Sequence, residues 1–299
     1  MSKSTKALNK SSSLCTERKH NTYLSYAAKN ILSNKVAMVC VSVILVILTV
    51  SVIAPLICRY DYQTTEFKAI NTKPCKEHLF GTDVLGRDLW ARVWKGTQIS
   101  LFIGILGALL PQIMGVIIGC VAGYIGGFID HVLSGVIEIG VCVPSLVYIT
   151  LISIWLNQSA GTVIVAIAVS SWMETALFVR GRVIQYKSRD FISAARIQGA
   201  STLRIIVIHI FPNIAGSVIV SIFAAIPKAI FTEAYLSFIG LGASSSVSLG
   251  QLCKAGTSVY RLYPYQLVIP GIVISILVMS FYILGNCLND ALDMRLKSR

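Results

Sequence analysis

The sequence predicts an all-α membrane protein with six transmembrane helices. Hydrophobic residues make up 55% of the 299 residues and charged residues only 13%, and the mean hydropathy is +0.73. A soluble domain usually carries about 25% charged residues, so the composition argues against one. Six apolar runs are long enough to cross a bilayer, which takes roughly 20 helical residues. The predicted spans are Val36–Cys58, Ile99–Tyr124, Val132–Leu156, Thr162–Val179, Ile214–Leu236 and Gln266–Leu288.

The basic residues are distributed unevenly between the two sides of the predicted membrane domain. Seven Lys and Arg precede the first span, six follow the fourth and three follow the sixth, whereas seven follow the first span and two the fifth. Five of the 13 acidic residues accompany the seven after the first span. Because basic residues collect in cytoplasmic loops, we predict that both termini are cytoplasmic. The net charge of +13 is therefore read as a sign of topology, and no nucleic-acid partner is expected.

Four segments follow from this pattern. Residues 1–35 form a basic N-terminal tail, and 36–98 contain the first transmembrane helix with an extracytoplasmic loop. Residues 99–288 form the main transmembrane domain, and 289–299 a cytoplasmic C-terminal tail. The tail is rich in Ser, Lys and Asn, which favours disorder over residues 1–20. The first span has too long an apolar core for a signal peptide.

The end of the first outer loop, FGTDVLGRDLWARVWKG, has the periodicity of an amphipathic helix. Leu85, Leu89 and Val93 fall on one half of a helical projection, together with two Trp residues, and charged residues fall on the other. We predict a helix lying in the membrane interface, capped by Thr82 or Asp83. It would anchor the second span, and docking of an external partner is the alternative.

Glycines recur every four residues in the second predicted span. Gly115, Gly119, Gly123 and Gly127 form a ladder that allows another helix to approach closely, and Pro111 should kink the same span. We interpret the ladder as a packing surface, although a pore-lining face stays open.

The eight cysteines show no CxxC pair and no metal-ligand spacing, so no metal site is predicted. Cys58 and Cys75 lie on the predicted outer side, where a disulfide between them stays open.

Four charged residues lie at membrane depth, where charge is costly and marks the bundle interior, a partner or water. They are Glu138, Glu174, Lys228 and Glu233. As a proton relay they would indicate a secondary transporter, but they form no evident chain and no internal repeat is visible. We therefore read Glu138, Lys228 and Glu233 as candidate interior or pathway charges.

The loop before the fifth span, from Asp190 to Asn213, is predicted to fold into two short helices. Gly199 can end the first helix in a left-handed conformation, and the small residues Ala194 and Ala195 are expected on its exposed face. The remaining predictions for this loop are listed together: Asp190 as the first cap, helices Phe191–Gln198 and Leu203–Ile210, Ser201 or Thr202 as the second cap, and an end before Pro212.

The chain contains no Gly-Lys dipeptide and therefore no phosphate-binding loop of the GxxxxGK[ST] type. If transport is active, ATP must be hydrolysed on another chain. A passive channel would leave the glycine-broken loop unexplained.

The segment SAARIQGASTLRIIVIHIFPN resembles the coupling-helix (EAA) loop of binding-protein-dependent ABC importers. The matching positions are Ala194, Ala195, Arg196, Gly199, Ala200, Ser201 and Pro212. FGTDVLGRDLWARV, GYIGGFID, EAYLSFIGLG and LNDALDMRL resemble segments of the dipeptide, oligopeptide and nickel permeases. The resemblance covers roughly residues 30–297.

This resemblance implies an inner-membrane permease subunit that carries half of a translocation pathway for short peptides, with nickel or another small chelate as the alternative cargo. It implies a second homologous permease subunit, two cytoplasmic ATPase subunits and an extracytoplasmic substrate-binding protein. It also implies no catalytic residue and no bound cofactor in this chain, since ATP and Mg belong to the ATPase subunits. Departures from the family pattern are Ser193 in place of Glu, Met173 and Glu174 in place of Pro-Gly, Leu249 in place of Trp and Met294 in place of Pro.

Overall fold

The structure, a computed structural model, describes residues 32–243 and 246–297. Most of the predicted basic tail and the last two residues lie outside this range. The described residues form helices joined by loops and contain no β-strand, although one isolated bridge joins Thr82 and Asp88. The helices are α1 (Lys35–Ile57), α2 (Leu89–Ile125), α3 (Gly127–Cys142), α4 (Ser145–Trp155), α5 (Ala160–Lys187), α6 (Asp190–Ile197), α7 (Thr202–Ile239), α8 (Leu249–Thr257) and α9 (Tyr265–Lys297).

The prediction of an all-α membrane protein is confirmed, and the described residues contain five apolar spans, or six if one bent helix pair counts as a span. Helices α1, α2, α5, α7 and α9 are each long and apolar enough to cross a membrane, and α3 and α4 form a sixth candidate bent by 84°. The bend was not predicted within Val132–Leu156. Its cause is Pro144, because the residue before a proline is pushed out of the helical region and Val143 is extended, with ψ at 126°.

The predicted interfacial helix before the second span is wrong. Residues 82–88 form a loop, and α2 begins at Leu89 with Asp88 as its N-cap, whose carboxylate accepts a hydrogen bond from the Ala91 N–H at 2.8 Å. Gly86 has a φ of 73°, which a helix does not allow. Leu89 and Val93 are almost fully buried inside the protein, so this turn belongs to the bundle and does not lie on its surface.

Helix α7 also extends beyond the predicted fifth span. The second short helix was expected to end before Pro212, but the chain stays helical from Thr202 to Ile239. Residues Ile205–Ile210 adopt a wider π-helical turn, in which the Phe211 N–H reaches the carbonyl of Ile206. Such a turn makes room for the proline ring and for its missing N–H, and π-turns are frequent at functional sites.

Helix α2 lies at the centre of the bundle, between α5 and α7. A Cβ atom on Gly107 would lie 3.4 Å from the Ile167 side chain on α5 and 3.7 Å from Cβ of Ala229 on α7. Helices α1 and α9 contribute to the same core, through Ile44 and Phe281 among others. The spans therefore surround α2, and the large apolar side chains exposed on their outer faces suit a lipid environment.

The loop between α1 and α2 is fastened to the start of α9. The Tyr265 hydroxyl donates to the Thr72 carbonyl at 2.9 Å, and the Gln266 side chain donates to the Thr82 carbonyl at 3.0 Å. Cys58 and Cys75 are both free thiols in the structure. The loop is thus held by hydrogen bonds to a neighbouring span.

Candidate functional site

The glycine-broken loop forms a short helix whose inner side is buried against the bundle. Gly199 has a φ of 80°, the left-handed conformation expected at a helix end. Ser201 caps the following helix by accepting a hydrogen bond from the Arg204 N–H at 3.4 Å. The prediction that Asp190 caps the first helix is wrong, since Asp190 is the first helical residue and its side chain makes no capping hydrogen bond.

The expected exposure of both alanines is only half right. Ala194 is exposed, but Ala195 is 7% exposed and packs beside Ile192 in a buried cluster. The reason is helical spacing, because Ile192 and Ala195 are three residues apart and share one face. The face turned away from the bundle instead presents Ile197 and Leu203, with exposed fractions of 88% and 72%.

Tyr124 at the end of α2 joins this loop to two spans. The guanidinium of Arg196 lies 5.8 Å from the centre of the Tyr124 ring, and the ammonium of Lys187 lies 5.7 Å from it. Both contacts fall within cation–π range, and Arg196 also donates to the Tyr124 hydroxyl at 3.5 Å. Arg196 therefore joins α6 to the end of α2, and Lys187 joins the end of α5 to the same tyrosine. No pattern in the sequence predicts this contact.

The glycine ladder of α2 lies against α5. A Cβ on Gly115 would lie 2.7 Å from the Trp172 carbonyl oxygen, and one on Gly123 would lie 2.9 Å from the Arg180 carbonyl oxygen. Gly119 is equally close to the same helix. Gly127 does not continue the ladder, because the chain breaks at Gly126 and nothing lies within 4 Å of a Cβ on Gly127.

Asp130 on α3 and Arg180 on α5 form a two-point ion pair just after that break. The Arg180 Nε and Nη2 atoms lie 2.5 and 2.8 Å from the two carboxylate oxygens, and the Ser134 hydroxyl donates to the same carboxylate. Bidentate pairs of this type fix geometry as well as charge. Glu138, one of the predicted interior charges, is exposed on α3 and does not join the other membrane-depth charges.

Glu233 is fully buried and is held by hydroxyl groups from separate elements. The Ser100 hydroxyl of α2 donates to it at 2.7 Å and the Ser237 hydroxyl of α7 at 2.8 Å. The Ser100 oxygen also accepts a hydrogen bond from the Leu249 N–H at the start of α8. Glu233 therefore lies at the junction of α2, α7 and α8, and it does not line the cavity between α2, α4, α5 and α7.

That cavity has a volume of about 240 Å³ and is lined by residues from α2, α4, α5 and α7. Glu174 and Lys228 face each other in it, with Lys228 Nζ 2.7 Å from Glu174 Oε2. The Ser221 hydroxyl donates to the Gln112 side chain on another wall, at 2.9 Å. Sequence reasoning named both charges but missed their pairing. The lining is thus partly polar, whereas no group of three or more His, Cys, Asp or Glu side chains suited to a metal ion occurs among the described residues.

Comparison with known proteins agrees with this architecture. Residues 115–298 match the family described as binding-protein-dependent transport system inner membrane component. Residues 22–74 match the N-terminal TM domain of oligopeptide transport permease C. The solved structure titled inward facing conformations of the MetNI methionine ABC transporter aligns with 68% of this chain and 97% of that chain. With a TM-score of 0.54 and 14% identity, it supports the fold alone.

Relatives of similar length extend the match over most of the chain. The oligopeptide transport system permease protein OppC of Bacillus subtilis is 39% identical, over 89% of this chain and 87% of that protein. The dipeptide transport system permease protein DppC of the same organism is 36% identical, over 92% and 87%. OppC of Escherichia coli K12 is 35% identical, over 89% of each.

Proposed function

Because this chain belongs to the family of binding-protein-dependent transport system inner membrane components, we propose that it is a permease subunit of an ATP-driven importer of short peptides. The observation that carries the proposal is its 39% identity, over 89% of its length, to an oligopeptide permease. The match to the N-terminal domain of such permeases adds support. The cargo proposed is di- and oligopeptides.

The proposed assembly has several other chains. A second homologous permease subunit completes the pathway, two cytoplasmic ATPase subunits bind ATP and Mg, and an extracytoplasmic binding protein delivers the peptide. The lack of a Gly-Lys dipeptide in this chain supports a separate ATPase. Both termini and the loop around Gly199 face the cytoplasm in this arrangement, in accord with the basic residues around that loop.

The loop from Ala194 to Ser201 is the proposed ATPase-coupling element. Its exposed apolar residue Ile197, together with the exposed Leu203 at the start of α7, offers a docking surface, since large exposed apolar groups mark interaction sites when they cluster. The loop contacts the bundle through the buried Ala195 and through the exposed Arg196. A push on this loop would therefore reach α2 through Tyr124 and α7 through the continuous chain after Thr202.

Growth and uptake measurements test the cargo. A strain lacking this gene and auxotrophic for one amino acid should fail to grow when that amino acid is supplied only as a di- or oligopeptide. The intact gene should restore growth, and vanadate should block the restored uptake, since a proton-driven carrier would ignore it. Uptake of labelled nickel is measured in parallel. Unchanged peptide use with lost nickel uptake would replace peptides by nickel as the cargo.

A further inference from the structure

The ion pair between Glu174 and Lys228 lies in the cavity between α2, α4, α5 and α7, and its two side chains are unusually exposed. Glu174 lies near the middle of the 28-residue helix α5, and Lys228 lies in α7. Their side chains are 53% and 56% exposed. By contrast, the Asp130 and Arg180 side chains of the other ion pair between spans are 18% and 29% exposed, and their carboxylate is also bonded by a serine hydroxyl.

Contact with lipid hydrocarbon would be unfavourable for this ion pair. Charges at the depth of a transmembrane helix centre are strongly disfavoured against hydrocarbon and face water, a partner or the bundle interior. The surrounding wall is partly polar, with Gln112, Ser171 and Thr232 among its residues. An exposed ion pair in a partly polar cavity at this depth therefore indicates a surface that meets water and solute.

Resting on the function proposed above, we propose that Glu174 and Lys228 are specificity-determining residues that pair with the charges of a passing peptide. A peptide carries an ammonium group and a carboxylate, and its side chains add further charges. Exposed ion pairs contribute little to stability, so separating the two side chains costs little free energy. The Lys228 ammonium can then meet a peptide carboxylate while Glu174 meets an ammonium group, and neither charge is left alone.

Single substitutions should shift the preference for peptide charge in opposite directions. Glu174→Gln leaves Lys228 unpaired, which favours an acidic peptide over a basic one, and Lys228→Gln does the reverse. A unit charge about 4 Å away changes the uptake of each peptide by on the order of fivefold in a water-like medium. Because the two peptides carry opposite charges, their ratio changes by about 25-fold. The assay is uptake of labelled Ala-Glu-Ala and Ala-Lys-Ala. The ratio of Ala-Glu-Ala uptake to Ala-Lys-Ala uptake in each variant is divided by the same ratio in the parent. The selectivity of the unchanged binding protein then cancels.

Two further variants complete the design. Asp130→Asn removes a charge from the less exposed pair outside the cavity and should leave the ratio within about twofold of the parent's. Thr232→Glu adds a carboxylate to the cavity wall without removing either partner, and it should favour the basic peptide. This variant keeps the test valid if an unpaired Lys228 prevents insertion.

The outcomes separate this proposal from the proposed function. Opposite shifts in the two single variants support it. Equal loss of both peptides in Glu174→Gln and Lys228→Gln, with recovery in the swapped variant Glu174→Lys/Lys228→Glu, would show that the pair only joins two helices and would overturn it. Unchanged ratios in well-inserted variants would also overturn it. If the parent chain supports no peptide uptake at all, the proposed function itself fails.

Discussion

Replacing Gly119 by alanine should destabilise the membrane domain, because the added methyl group has no room between α2 and α5. Its Cβ would lie 2.6 Å from the carbonyl oxygen of Ala176, 2.9 Å from Cβ of Val179 and 3.1 Å from the backbone nitrogen of Arg180. Ordinary contact begins at 3.4 Å. Raising the shortest distance from 2.6 to 3.4 Å requires the two helices to separate by about 0.8 Å there, since two of these atoms belong to the backbone and cannot rotate away.

The expected cost follows from this overlap. Overpacking a well-packed interior typically costs about 1–3 kcal/mol. Alanine recovers part of this, because it is more favourable than glycine within a helix by up to about 1 kcal/mol. We therefore expect Gly119→Ala to lower the free energy of unfolding by up to about 2 kcal/mol.

Gly181 in α5 provides the matched control. It is exposed, and a Cβ there would meet no atom within 4 Å, so Gly181→Ala should be neutral or stabilising by up to about 1 kcal/mol. Both variants are compared with the parent by SDS-induced unfolding of the purified chain in mixed micelles, followed by circular dichroism. If Gly119→Ala is as stable as Gly181→Ala, the close approach of α2 and α5 at this glycine is wrong.

Three further predictions concern the coupling loop, the topology and the thiols. Gly199→Val should insert normally but uncouple uptake from ATP hydrolysis, since a β-branched residue resists a φ of 80°, whereas Gly199→Asn should retain coupling; equal uptake by the two variants would contradict this. Reporter fusions after Arg189 should read as cytoplasmic and those at Lys73 as external, and the reverse result would invert the topology. Burial raises the pKa of the Cys253 thiol to about 11, so about one thiol in a thousand is ionised at pH 8. Alkylation of Cys253 should therefore accelerate about tenfold per pH unit towards pH 11, while the exposed Cys75 labels readily near neutral pH; rapid labelling of Cys253 at pH 7 would contradict its burial.

Local signals in the sequence were sufficient for most of the helices and for the broken loop. Long apolar runs identify spans because lipid leaves the backbone few alternatives to a helix, and the left-handed Gly199 follows from its place between two helical patterns. The prediction of an interfacial helix was wrong because it relied on apolar periodicity. The local residues indicate a loop followed by a helix start, since Gly86 favours a turn and Asp88 an N-cap. Helical periodicity alone does not reveal whether an apolar face meets lipid or protein.

The pairing of Glu174 with Lys228 could not be predicted, because it depends on how two distant helices are rotated about α2. Small residues fix that rotation. Gly115 of α2 meets Thr175 on α5, and Gly107 meets Ala229 on α7. Each contact residue follows a charged residue, and successive residues of an α-helix are turned by about 100°.

When Thr175 and Ala229 face α2, the residues before them are directed to the side, into the space shared by α5 and α7. The two charges therefore meet in the cavity as a consequence of close packing at glycines. A substitution that displaces α5 from α2 should accordingly disturb the ion pair without touching either charge. Gly115→Ala, whose Cβ would lie 2.5 Å from Cβ of Thr175, should shift the peptide-charge ratio, whereas Gly181→Ala should not. An unchanged ratio in a Gly115→Ala protein that is measurably less stable would show that the pair is positioned by other contacts.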